Sequence, residues 1–194
     1  MRRMIFLAIG LFLFSVSSFA QEVIYPKAEV FGGFSISSAA MSTTDPTTLV
    51  TTSLRETFWG FQASANGNLT HHLAIVGDFG GQYKTVAGIP MNSYQFLFGP
   101  RVMWRRDKVT PFVHAMFGGV RDGIGSTTLL GVTIPSASST GLGLGMGGGL
   151  DVNLSERFAL RVPQFDWTPA HIGGVWETNV IRIGIGLVVK AGGK

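Results

Sequence analysis

Four histidines, His71, His72, His114 and His171, are the side chains of this sequence best suited to general-base or metal chemistry. A histidine oriented by an acid beside a serine would point to acyl transfer. No serine stands within two residues of His171, which is followed by Ile172-Gly173-Gly174, and no spacing gathers the three groups. His71 and His72 are adjacent, so on an extended chain they point to opposite faces, and no third metal ligand is close. The absence of cysteine removes thiolate metal sites, disulfides and cysteine nucleophiles. Gly118-Gly119 and Gly147-Gly148-Gly149 are too glycine-rich to ignore, but a phosphate-cradling loop opens onto a helix N-terminus and no helical pattern follows either. No catalytic residue, cofactor or metal is expected, and no enzyme activity.

The remaining chemistry is ionic. Glu29, Asp78, Lys84, Arg101, His114, Asp151, Arg161, Asp166 and Arg182 each stand on the polar side of a segment in which apolar and polar residues alternate. Such period-two alternation marks strands with two different faces, and eight segments carry it: 27–37, 57–66, 73–84, 93–104, 109–121, 140–152, 158–167 and 179–190. In the last, Ile181, Ile183, Ile185, Leu187 and Val189 oppose Arg182, Gly184, Gly186 and Lys190. In the sixth, Leu142, Leu144, Met146, Leu150 and Val152 oppose four glycines and Asp151. In the seventh, Phe158, Leu160 and Val162 fall out of phase with Phe165 and Trp167. Pro163, which cannot donate to a ladder, is where a bulge is expected to repair the phase.

Connections 67–72, 105–108 and 153–157 are short. Connections 38–56, 122–139 and 168–178 are longer and rich in Ser, Thr, Gly and Pro, and 85–92 is intermediate. Trp59, Tyr83, Tyr94 and Trp167 fall on the apolar face beside the long loops, and Trp104 and Phe158 fall beside the short turns. Trp and Tyr favour membrane interfaces because an apolar ring carries a polar edge that still reaches water. Two such girdles fit a bilayer.

Composition agrees. Charged residues make up 13% of the 194, about half the roughly 25% of soluble proteins, and the 27 glycines are about twice the usual share. With 45% hydrophobic residues the chain is not disordered. At the N-terminus, Arg2 and Arg3, the apolar run from Ile5 to Phe14 and Ser18-Phe19-Ala20 read as a Sec-type signal peptide over 1–20, cut near Ala20. Its removal lowers the formal net charge from +4 to +2, so the basic pI is no nucleic-acid footprint. Arg105-Arg106-Asp107-Lys108, the one basic cluster, reads as a turn.

Glu29-Val30-Phe31-Gly32-Gly33-Phe34-Ser35, Phe98-Gly99-Pro100-Arg101, Thr110-Pro111-Phe112-Val113-His114 and Gly147-Gly148-Gly149-Leu150-Asp151-Val152 resemble the eight-stranded outer-membrane β-barrel domain family, related to the OmpA membrane domain and OmpX. Phe158-Ala159-Leu160-Arg161, Gln164-Phe165-Asp166-Trp167 and the closing strand around Arg182-Ile183-Gly184-Ile185-Gly186 extend the resemblance over 21–194. The last strand departs from it, ending Val188-Val189-Lys190 where many relatives end in an aromatic residue. The resemblance implies an all-β, antiparallel, up-and-down transmembrane barrel. It implies a bacterial outer-membrane location, contact with outer-membrane lipids and handling by the barrel-assembly machinery. Some barrels of this kind modify lipid A with a serine beside a histidine, an arrangement that no spacing supplies here.

Eight strands enclose a space just wide enough for side chains. The nine ionic residues are therefore expected to form an internal ion-pair network, four acids against four bases with His114 titratable. The glycines at 143, 145, 147 and 149 should leave room for the long side chains of Arg101 and Arg161. A structural or surface-interaction role through loops 38–56 and 122–139 is the leading expectation, with a narrow pore or small-solute channel as the alternative.

Overall fold

A computed structural model describes residues 25–44, 51–129 and 132–192; the expected signal peptide at 1–20 lies outside the described residues. Twelve strands follow in order: β1 (Ala28–Thr44), β2 (Thr51–Asn68), β3 (Leu73–Val86), β4 (Ile89–Met103), β5 (Val109–Ile124), β6 (Thr127–Leu129), β7 (Val132–Ile134), β8 (Ala137–Asn153), β9 (Phe158–Trp167), β10 (Ala170–Ile172), β11 (Val175–Glu177) and β12 (Val180–Ala191). Eight of them, β1–β5, β8, β9 and β12, pair antiparallel with their neighbours, and β12 pairs back onto β1 from Ala28↔Ala191 to Ala39↔Val180. The sheet is a closed barrel with no free edge among these eight, as a ladder needs where water cannot satisfy its N–H and C=O groups.

Both halves of the alternation point as the sequence requires. Leu142, Met146, Ile181, Ile183, Ile185, Leu187 and Val189 are exposed on the outside, together with Val30, Phe34, Phe61, Phe96, Phe98 and Phe117. Arg101, Arg161 and Arg182 are at most 1% exposed and lie inside. Outside, aromatic rings run in a ladder, Phe61 to Phe79 at 5.4 Å, Phe79 to Phe96 at 4.4 Å and Phe98 to Phe117 at 4.2 Å between centroids. This continuous apolar band is far larger than soluble monomers leave in water.

The bulge sits where the phase required it. On both sides of β9, two residues, Val162 and Pro163, face one partner residue between Arg161 and Gln164. Arg161 and Gln164 thereby both point inward, and Val162 and Pro163 do not. At the β1–β12 seam Gly33 stands opposite Gly186. A Cβ at Gly33 would run into the Ile185 carbonyl oxygen, and one at Gly186 into that of Gly32. Only glycine allows the close backbone approach and tight bend that a barrel this narrow needs.

Strand lengths and loops differ from expectation. The pairing of β1 with β2 continues to Thr44↔Thr51, so most of the expected loop 38–56 is a hairpin; residues 45–50 lie outside the described residues. Connection 85–92 is a two-residue turn, Ala87-Gly88, with φ of 49° and 82°, the double positive φ of a type I′ hairpin. Within 122–139, β5 and β8 pair out to Ile124↔Ala137, and the tip folds as the small β6–β7 hairpin. Within 168–178, Gly173 and Gly174, with φ of 60° and 83°, turn the β10–β11 hairpin, whose Ala170 and His171 pair with Gly143 and Leu142. The physical reason is shared. A 17-residue strand such as β1 is about 55 Å long and, tilted by about 40°, about 40 Å tall, against an apolar band of about 25 Å. Above that band both faces are wet, and a wet strand carries no alternation.

Candidate functional site

The interior of the barrel is a polar core of side chains from β1–β5, β8, β9 and β12. Arg182, on β12, holds two carboxylates at once. Its Nη2 donates to Asp78 Oδ1 and to Asp166 Oδ2, both at 2.8 Å, and its Nε reaches the same Asp166 oxygen at 3.2 Å. Space for its guanidinium comes from Gly80, where a Cβ would lie 2.7 Å from Nη1. Arg161, beside the bulge, grips Asp151 with two parallel bonds of 2.7 and 3.0 Å, the bidentate geometry that suits guanidinium to carboxylate. Its Nη1 donates to Gln164 Oε1 at 3.1 Å, and Gln164 Nε2 passes on to Asp166 at 2.7 Å. Gln62 donates to Asp78 at 2.6 Å.

His114 links the two halves of this network. Its Nε2 lies 2.8 Å from Asp166 Oδ1, and its Nδ1 lies 3.1 Å from Arg101 Nη2. A guanidinium N–H can only donate, so Nδ1 accepts and the proton sits on Nε2, which donates to Asp166. The geometry therefore fixes a neutral ring in one tautomer. Arg101 also donates to Asn66 at 3.0 Å, and Asn66 donates to Glu29 at 3.2 Å. Arg101 has no direct carboxylate partner among the described residues; instead its guanidinium lies over the Phe112 ring at 4.4 Å, and Arg161 lies over the same ring, also at 4.4 Å. A ring face attracts cations, so Phe112 offers an attractive contact to both guanidinium groups.

One member of the expected set is replaced by a residue from outside it. Lys84 is not part of this network: it stays half-buried at the long-hairpin end, ion-paired with Glu56 of β2. The fourth base is Arg105, expected in a turn, which folds back so that Nη1 donates to Glu29 at 2.8 Å and Nε to the His71 carbonyl at 3.1 Å. An unpaired Glu29, 3% exposed, would be costly, and Arg105, just past the end of β4, supplies its cation. Four acids and four arginines thus balance around a neutral histidine.

The glycines of β8 do not make room for guanidinium groups as expected. A Cβ at Gly145 would meet Leu97 at 3.0 Å and Met116 at 3.2 Å, one at Gly149 would meet Phe112 at 2.8 Å, and one at Gly147 would run into Asp166. The volume they leave is filled largely by apolar side chains, and Phe112 in turn carries the arginines. These inward apolar residues, with Phe31, Val76, Met103 and Val188, were legible in phase but not in role.

At the girdles, Trp59 stands opposite Tyr83, and the Tyr83 hydroxyl donates to that of Tyr94 at 3.0 Å. Trp167, Trp104 and Phe158 are 40–46% exposed on the outside. In the short turn 69–72, His72 Nδ1 bonds the Met103 carbonyl at 2.9 Å. His71 lies edge-on to His72, and burial, then His72, then Arg105 hold its pKa below the ordinary histidine value. Among the described residues no three His, Asp or Glu side chains are grouped to hold a metal.

No family model and no curated protein matches this sequence. Solved structures do. The attachment invasion locus protein Ail of Yersinia pestis superimposes with a TM-score of 0.61 at 14% identity, over 86% of this chain and 99% of that one. Neisserial surface protein A gives 0.61 at 16% identity, over 84% and 98%. The outer membrane protein OprG of Pseudomonas aeruginosa gives 0.51 at 11%, over 86% and 96%. With its closed ring of eight antiparallel strands, apolar outside and polar inside, the chain has the fold of the eight-stranded outer-membrane β-barrels.

Proposed function

We propose that this protein is a non-conducting barrel of the bacterial outer membrane whose role is structural or surface-interactive, exercised through its long hairpins. The observation that carries this reading is the packed lumen. Arg101, Arg161 and Arg182 are essentially unexposed and tied across it to Asp78, Asp151, Asp166 and His114. An ion crossing this core would have to break those pairs in a low-dielectric interior, where separating charges is expensive.

Short turns at one end and long hairpins at the other match the periplasmic and extracellular ends of such barrels. The β1–β2 hairpin (38–56) and the β5–β8 region (122–139) would then stand above the membrane as contact surfaces on a rigid base. Ail, one of the structures sharing the fold, is named for attachment and invasion, a surface role of the same general kind. Outer-membrane lipids against the apolar band, and the assembly machinery during insertion, are the other partners this reading supplies. Purified protein in planar bilayers should give no steady unitary current. A reproducible conductance that changes when Arg161 or Arg101 is replaced would favour the pore instead.

A further inference from the structure

The long-hairpin end of the barrel holds a cup of about 740 Å³, closed below by the packed lumen. Its size lies within the range of small-molecule sites. Its walls are mainly apolar: Phe58, Met91, Val120, Ile124, Ile172 and Val180, with Trp176 at the rim. Two carboxylates, Asp122 and Glu177, line it, and among the described residues no basic side chain does. A cavity with only one sign of charge selects for the opposite sign.

The floor adds independent evidence. Gln82, Gln95 and Thr168 are 3%, 9% and 1% exposed and line the cup, yet Gln82 Oε1, Gln95 Oε1 and Thr168 Oγ1 have no hydrogen-bond partner among the described residues. Asp122 stands opposite Ser93 across the β4–β5 ladder, and its Oδ1 is likewise unpartnered among them. Buried polar atoms are nearly always satisfied, so each orphan calls for an explanation. Two amide oxygens and a carboxylate oxygen are acceptors, and all of them belong to residues that line one space. Burial raises the Asp122 carboxyl above the usual range; burial and then the charge of Asp122 raise that of Glu177. A bound cation would relieve both.

We propose that this cup binds a small amphipathic amine, its ammonium group donating to Asp122, Gln82 and Gln95 and its apolar body packed against the walls under Trp176. The site is built from the upper ends of the barrel strands and the β10–β11 hairpin, and it does not depend on whether the lumen conducts. The test is calorimetric titration of the full-length mature protein in lipid nanodiscs with biphenyl-4-ylmethylamine, with empty nanodiscs as the blank. Biphenyl-4-acetate, of similar shape and opposite charge, is the counter-probe. Saturable binding of the amine near one per barrel is expected, with at least a tenfold weakening in the Asp122→Asn/Glu177→Gln double variant and no binding of the acetate. Heat-modifiable gel migration shows that the variant is folded, and a Gln95→Leu variant, expected to weaken binding several-fold, repeats the test without touching charge. Failure of the amine to bind, equal binding of the acetate, or affinity unchanged in both folded variants would overturn the proposal. A silent bilayer would leave these outcomes untouched, so failure of this site and failure of the non-conducting reading are distinguishable.

Discussion

Replacing Arg182 with methionine is expected to destabilise the barrel by about 3–5 kcal/mol, the loss typical when one partner of a buried ion pair is removed. The guanidinium holds Asp78 and Asp166 together, and all three groups are at most 3% exposed. Without it two carboxylates are left facing each other in the lumen. His114 offers no relief, because its Nε2 proton already serves Asp166 and its Nδ1 is occupied by an N–H of Arg101. Urea unfolding of protein inserted into lipid vesicles, followed by tryptophan fluorescence, measures the loss. The triple variant Arg182→Met/Asp78→Asn/Asp166→Asn should recover part of it, since these positions then strand no charge. Lys84→Met is the internal control. Its ion pair with Glu56 is about a quarter exposed on each side, and such a pair is worth at most about 1 kcal/mol. Equal losses for Arg182→Met and Lys84→Met would mean that the lumen is wet and the network ornamental.

The second large effect lies on the other face. Ile185 is 46% exposed and stands four positions along β12 from Ile181, the partner of Trp167, and four from Val189, the partner of Phe158. It therefore sits midway between the girdles. Ile185→Arg is expected to cost about 2–4 kcal/mol in a bilayer, the range for arginine on the lipid face of a barrel at mid-depth. A half-exposed isoleucine on a soluble protein would tolerate the same change within about 0.5 kcal/mol. The comparison is made by urea unfolding in vesicles against Val175→Arg, on the β10–β11 hairpin beyond the girdle, where little change is expected.

Legibility in the sequence followed the solvent. Between the girdles one face of every strand meets an apolar surround and the other a polar core, so the phase of Ile181 to Val189 or of Leu142 to Met146 is written in residue type. The β9 bulge was readable for the same reason, because Pro163 marks where that phase breaks. Above the girdle the difference between faces disappears. A run of serine and threonine does not distinguish strand from loop there; Ser42, Thr43, Thr51 and Thr52 pair as strands with no alternation to announce them. The Gly173-Gly174 pair was a signal that could have been used, since two glycines flanked by Ile172 and Val175 suit a type I′ hairpin.

The site was legible as a set of charges but not as a set of partners. Alternation says that Arg101, Arg161 and Arg182 point inward; it does not say that the first two both lie over the Phe112 ring, or that Arg182 bridges two aspartates on different strands. Arg105 was hidden because it follows the end of β4, where a turn residue can face either water or the lumen. Lys84 had the right phase and the wrong height. The cup was invisible because its carboxylates come from β5 and β11, 55 positions apart along the chain.

The central claim is that the apolar face looks into lipid and the charged face into a sealed interior. Because the chain has no cysteine, single cysteines can be introduced without background. A fluorophore at Ile185→Cys and at Phe96→Cys, in protein inserted into vesicles, should be quenched by brominated acyl chains and untouched by aqueous iodide, whereas at Ser138→Cys, near the rim, iodide alone should quench. Iodide quenching at 185 and 96, with no effect of the brominated lipid, would contradict the account.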